Sequence, residues 1–111
     1  MSRWFCVSIA SILNVGLFIR VEAKPDRVAD VEAKFKEVVD IVRAEGRAVV
    51  WFALRLGPTS FAIYDAFTNE ADRQAHLDTM GPALRASGAE LFVAEPDVQY
   101  IDVVASLLPG E

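Results

Sequence analysis

The sequence is short of the residues that build several common kinds of site. It has a single cysteine, Cys6, which cannot close an internal disulfide, and a single histidine, His76, so no Cys/His set is spaced to hold zinc. A disulfide scaffold and a zinc module are excluded. The carboxylates do not replace them, because there is no EF-hand loop, no His-Glu-x-x-His and no recurring ligand spacing, and no metal is expected. Gly-x-Gly-x-x-Gly, a phosphate-binding Gly-Lys-Ser and a Gly-x-Ser-x-Gly elbow are all missing, which leaves nucleotide cofactors and a serine hydrolase without support. Positive charge is also scarce. Eleven Lys and Arg against sixteen Asp and Glu give a net charge of -5, with acidic and basic residues interspersed, so no nucleic-acid surface is expected.

A long apolar run is lacking too. Trp4 to Ile19 follows Arg3 in the manner of a signal peptide, but it is shorter than the roughly 20 residues of a spanning helix and is broken by Asn14 and Gly16. It ends in strand-like alternation, and a cut after the small-residue pattern Val21-Glu22-Ala23 would remove that strand. Residues 1–13 are therefore read as an N-terminal extension, an arm or a leader, ahead of a domain over residues 14–108. No membrane partner is expected, and one free thiol suits a cytoplasmic location. Cys6 has no nearby base to activate it and reads as inert.

What is present is apolar content of 53% with 24% charge over 111 residues, the composition of one folded domain. A chain of this size buries only about 60–70% of its unfolded surface, so an oligomer would relieve a marginal core.

Val15 to Ala23 places Val15, Leu17, Ile19 and Val21 against Gly16, Phe18, Arg20 and Glu22, a period-two strand with one aliphatic face. Lys24-Pro25-Asp26 stops it, and Asp26 is expected to cap a helix running to about Ala44. Val28, Val31, Phe35, Val38 and Val42 form its apolar stripe, and Gly46 its exit. Ala48 to Leu56 lacks polar alternation until Arg55 and reads as a strand buried on both faces. After the turn Gly57-Pro58-Thr59, Ser60 to Phe67 is its hairpin partner, with Phe61, Ile63, Asp65 and Phe67 on one face and Ala62, Tyr64 and Ala66 on the other. Thr68 or Asn69 caps a second helix to about Thr79; Gly81-Pro82 is expected to interrupt it, with a further short helix to Ser87. Val98 to Val104 alternates as a fourth strand.

Strand, helix, strand, strand, helix, strand is the order of the split βαβ, ferredoxin-like α+β fold: a four-stranded antiparallel sheet with both helices on one face. The uncovered face would expose apolar side chains, so sheet-to-sheet packing into a symmetric homodimer is expected.

Four stretches resemble the antibiotic biosynthesis monooxygenase family, together spanning roughly Val15 to Val104. They are Leu17-Phe18-Ile19-Arg20-Val21-Glu22-Ala23-Lys24-Pro25, the helix end Arg43-Ala44-Glu45-Gly46, the strand Val50-Trp51-Phe52-Ala53-Leu54-Arg55, and Asp65-Ala66-Phe67-Thr68-Asn69-Glu70-Ala71 leading to Gln74-Ala75-His76-Leu77. The resemblance implies a dimeric α/β barrel. It also implies a cofactor-independent monooxygenase acting on a small phenolic, quinol or polycyclic aromatic substrate. The chain departs from quinol-monooxygenase relatives at Met80-Gly81-Pro82, where they often carry a second histidine, and Ala83 to Arg85 lacks the ligand of haem-degrading relatives.

Chemistry of that kind needs a base, a dry aromatic pocket and a donor for developing negative charge. His76 is the candidate proton acceptor, Arg20 and Arg55 the candidate oxyanion stabilisers, and Phe18, Trp51, Phe52, Tyr64 and Met80 the candidate substrate-binding walls. Asp65 and Asp102 are expected to pair with Arg20 or Arg55. The alternative is a non-catalytic barrel of the same fold that binds an apolar small molecule or serves a structural role.

Overall fold

The computed structural model describes residues 13–110. Apart from Leu13, which is buried, the expected extension over residues 1–13 lies outside that range, and so does Cys6.

Six elements follow in order: β1 (Val15–Glu22), α1 (Val28–Glu45), β2 (Val50–Arg55), β3 (Ser60–Phe67), α2 (Glu70–Leu91) and β4 (Asp97–Asp102). The strands form one sheet in the order β2-β3-β1-β4, with every neighbouring pair antiparallel. This is the ferredoxin-like arrangement that the element order implied.

Register assigns the faces. Leu17 pairs with Asp65 and Tyr100, and Trp51 with Asp65, so the odd-numbered positions of β1, β2 and β3 share the face that packs against the helices. Leu17, Ile19, Val21, Phe61, Ile63 and Phe67 fill the core from that face. From α1, Val31 and Phe35 meet them, because steps of three and four residues bring one stripe of the helix to the sheet. Each such aliphatic or aromatic side chain contributes roughly 1.5–3 kcal/mol on burial.

Three local expectations are corrected. Asp26 does not cap α1; Arg27 occupies the cap position with no side-chain hydrogen bond, and its guanidinium instead bonds Asp30 at 2.9 Å. β2 is not buried on both faces: it is an edge strand paired only with β3, and from Phe52 to Arg55 it is exposed. Its apolar residues at Phe52 and Leu54 point to the face that no helix covers. Finally, α2 is not interrupted at Gly81-Pro82 but continues unbroken to Leu91. Leu77 precedes the proline and Leu84 and Leu91 follow it, all packed on the same core, so tertiary contacts hold both halves in line despite the missing donor.

The helix ends follow their chemistry. Asn69 Oδ1 accepts the Asp72 N–H at 2.8 Å and starts α2, while Gly46, at φ 75°, ends α1 with its N–H bonded to the Val42 carbonyl. Arg73, buried in the first turns of α2, donates to the Gly16 and Ile101 carbonyls at 3.2 Å each and to Glu70 at 2.6 Å, fastening the helix to β1 and β4. Among the described residues no helix is long and apolar enough to cross a membrane.

Candidate functional site

Between α1, α2 and the sheet lies a cavity of about 160 Å³. Its walls are mostly apolar: Ile19 and Ile63 from the sheet, Phe35 and Val38 from α1, Leu77 and Leu84 from α2. Lys34 and Glu37 of α1 also border it. Two polar groups stand out against this lining, Asp65 of β3 and His76 of α2, which are 0% and 4% exposed.

His76 is held from both sides. Its Nδ1 lies 2.7 Å from Glu45 Oε1, at the last turn of α1, and its Nε2 lies 3.3 Å from Asp65 Oδ2. The second contact is an ion-pair distance with poor hydrogen-bond alignment, so neither Asp65 oxygen has a well-aligned hydrogen bond. Glu45 Oε2 is 3.3 Å from an Arg47 guanidinium nitrogen, again without hydrogen-bond geometry. The Phe67 ring packs on the imidazole, with centroids 5.1 Å apart.

Burial in this setting works against an imidazolium, but the adjoining Asp65 and Glu45 carboxylates outweigh it and hold His76 above the usual imidazole range. Asp65 is also pushed up, first by burial, against the opposing pull of His76. The result is a buried acid–base pair, Asp65 and His76, each of which holds a proton more tightly than the free side chain does. The ring nitrogens point to different carboxylates, and among the described residues no group of three or more His, Cys, Asp or Glu side chains is placed to hold a metal ion.

Of the residues singled out from sequence, His76, Trp51 and Met80 line this cavity. Phe18, Phe52, Tyr64 and Arg20 do not. They occupy the even-numbered positions on the opposite sheet face, where Phe18 and Phe52 are both register partners of Tyr64. Arg55 is turned toward the helices but sits at the far end of β2, where it pairs with Glu32 of α1, donates to the Pro58 carbonyl at 3.1 Å and covers the Phe61 ring at 4.8 Å. Within one chain, neither arginine therefore reaches the cavity. The expected pairing of Asp65 with Arg20 or Arg55 is replaced by pairing with His76, and Asp102 is exposed at the end of β4.

Sequence reasoning did not connect Glu45 or Asp65 with His76. For Asp65 a signal existed: it is the one carboxylate in the inward series Phe61, Ile63, Asp65, Phe67, where a charge needs a partner. Glu45 carries no such signal, since a glutamate in the last turn of a helix ordinarily faces water.

Comparison with known proteins places these features in context. The family model for antibiotic biosynthesis monooxygenase matches residues 14–86. Among solved structures, NE2512, a protein of unknown function from Nitrosomonas europaea, superposes with a TM-score of 0.85 at 35% identity over 91% of this chain and 99% of that one. A candidate antibiotic biosynthesis monooxygenase, also from Nitrosomonas europaea, gives 0.72 at 16% identity over 82% and 90%. Rv0793 from Mycobacterium tuberculosis gives 0.69 at 16% identity over 88% and 99%. These last two are alike in fold. No curated protein matches the sequence.

Proposed function

The chain belongs to the antibiotic biosynthesis monooxygenase family, and from that premise we propose that its cavity takes a small phenolic, quinol or polycyclic aromatic molecule for oxidation by O2 without a bound cofactor. The observation that carries this reading is a buried acid–base cluster, Asp65 with His76, set in an otherwise apolar cavity. Removing a hydroxyl proton makes an aromatic ring electron-rich enough to be attacked by O2. In a monooxygenation with no other reductant, the substrate supplies all the electrons, one oxygen atom enters the product and the other leaves as water. The mostly apolar walls favour an aromatic ring, and Trp51 and Met80 offer the anion aromatic and polarisable contact.

The same proposal includes a homodimer joined through the open sheet face. Phe52, 52% exposed, and Tyr64 stack there with centroids 6.4 Å apart and planes 11° from parallel, beside exposed Leu54. An apolar surface of this kind favours burial against its own copy about a twofold axis.

The test is oxygen uptake and product mass with a panel of hydroquinones and anthrone-type aromatics, without added flavin, haem or metal, beside a His76→Ala control. Saturable oxygen incorporation that the variant loses supports the enzyme. No turnover together with no ligand-dependent thermal shift across the panel supports the non-catalytic barrel instead.

A further inference from the structure

We propose that Asp65, rather than His76, is the cavity group that takes the hydroxyl proton of the bound molecule, and that His76 is a positioning residue held as an imidazolium between Asp65 and Glu45. The inference rests on the cavity-binding reading above and assigns the proton within it.

Both neighbours of the imidazole are carboxylates, which accept hydrogen bonds and do not donate them when ionised. The 2.7 Å contact with Glu45 Oε1 therefore places a hydrogen on Nδ1. A neutral ring would then turn the Nε2 lone pair onto Asp65 Oδ2 at 3.3 Å, a repulsive contact, whereas a proton on Nε2 makes the same contact attractive. With both ring nitrogens protonated and each directed at a protein carboxylate, His76 has no lone pair left for a ligand.

Asp65 has the capacity that His76 lacks. Its carboxylate is fully buried, borders the cavity, and has no well-aligned hydrogen bond at either oxygen, with His76 Nε2 facing Oδ2 at 3.3 Å. A ligand hydroxyl donating to it supplies the well-aligned hydrogen bond that a buried carboxylate otherwise lacks here. In the transfer itself the ligand O–H bond breaks, an O–H bond forms on Asp65, and the electron pair stays on the ligand oxygen. The new anion then lies beside the His76 imidazolium, and total charge is unchanged.

The charged groups around the pair are consistent with this. Glu45 comes from α1, Arg47 follows it and offsets its charge at 3.3 Å, Asp65 comes from β3, and Lys34 and Glu37 border the cavity from α1. Two carboxylates facing one imidazolium disfavour an anionic ligand, so the fitting class is a neutral aromatic carrying a hydroxyl donor.

His76 is the only histidine in the chain, so nitrogen NMR of histidine-labelled protein reads its ring alone. Imidazolium shifts at both nitrogens near pH 7, with a midpoint that falls in Asp65→Asn, are expected. One bare nitrogen at that pH in the wild type, a measurement that needs no variant, overturns the assignment. The second arm is fluorescence-monitored binding of 2-naphthol and of 2-methoxynaphthalene, which has nearly the same shape without the donor. Preference for the naphthol of about tenfold or more, largely lost in Asp65→Asn, is expected. Equal binding of the two aromatics overturns Asp65 as acceptor and leaves the cavity reading intact, whereas binding of neither overturns the cavity reading and the inference with it.

Discussion

Glu45 and His76 are 31 residues apart in the chain and 2.7 Å apart in the fold, joining the last turn of α1 to the first half of α2 through a buried contact. Through the other ring nitrogen the histidine reaches Asp65 on the central strand β3. One imidazole thus ties both helices to the sheet at the edge of the cavity, and the two carboxylates at that junction hold its proton.

That proton makes stability depend on pH. His76 binds it more tightly folded than unfolded, because the two carboxylates raise its pKa. Its contribution is therefore complete below the ordinary value of 6.5 and is lost as pH rises through the higher folded value. Asp65, raised by burial, has the same sign at lower pH. Glu22, lowered by its hydrogen bonds to Ser60 and Thr59, has the opposite sign and acts only toward the acid end. Melting temperature should fall from pH 6 to pH 9, and the slope should flatten in His76→Gln; an unchanged slope in the variant would assign the dependence to other groups.

His76→Leu removes the imidazole that faces Glu45 and the buried carboxylate of Asp65. Leaving one side of a buried pair uncompensated costs about 3–5 kcal/mol, a large share of the roughly 5–15 kcal/mol that holds a small domain together. Urea denaturation should show a loss in that range, with a smaller one for His76→Gln, which can still donate to Glu45. A loss below about 0.5 kcal/mol would mean that the three groups are not coupled in solution.

Gly16 is required by a close approach in the sheet. A Cβ at this position would lie 2.4 Å from the Asp65 carbonyl oxygen and 3.3 Å from Ile101. Gly16→Ala must therefore displace β1 from β3 beside the acid–base cluster, and about 1–3 kcal/mol of destabilisation is expected. Denaturation measures it, and the His76 ring resonances should move in the same variant.

Gly81 is the opposite case. It lies inside α2 at negative φ, and a Cβ there meets nothing within 4 Å. Gly81→Ala should stabilise the protein by about 0.5–1 kcal/mol through the lower backbone entropy of its unfolded chain. A fall in melting temperature would mean that the turn around Pro82 needs the freedom of glycine.

Phe52→Glu places a charge in the exposed aromatic patch of β2. If the sheet face joins two copies, the variant should sediment as a 12.2 kDa monomer where the wild type sediments at twice that mass. Monomeric wild-type protein at micromolar concentration would remove the dimer proposal.

Local periodicity determined much of this protein from sequence alone. Alternation in β1 marked its aliphatic face and alternation in β3 separated its two faces, a stripe at steps of three and four assigned the core side of α1, and Gly46 and the Thr68-Asn69 pair marked helix ends, of which the backbone uses Gly46 and Asn69. These signals are readable because each depends on residues within one or two turns of the chain. Tertiary structure alone decided the rest. Whether Pro82 breaks α2 depends on packing from outside the helix, and whether β2 is buried depends on its place at the edge of the sheet. Above all, the meeting of Glu45, Asp65 and His76 is set by where two helices and a strand cross, and no spacing along the chain encodes that crossing.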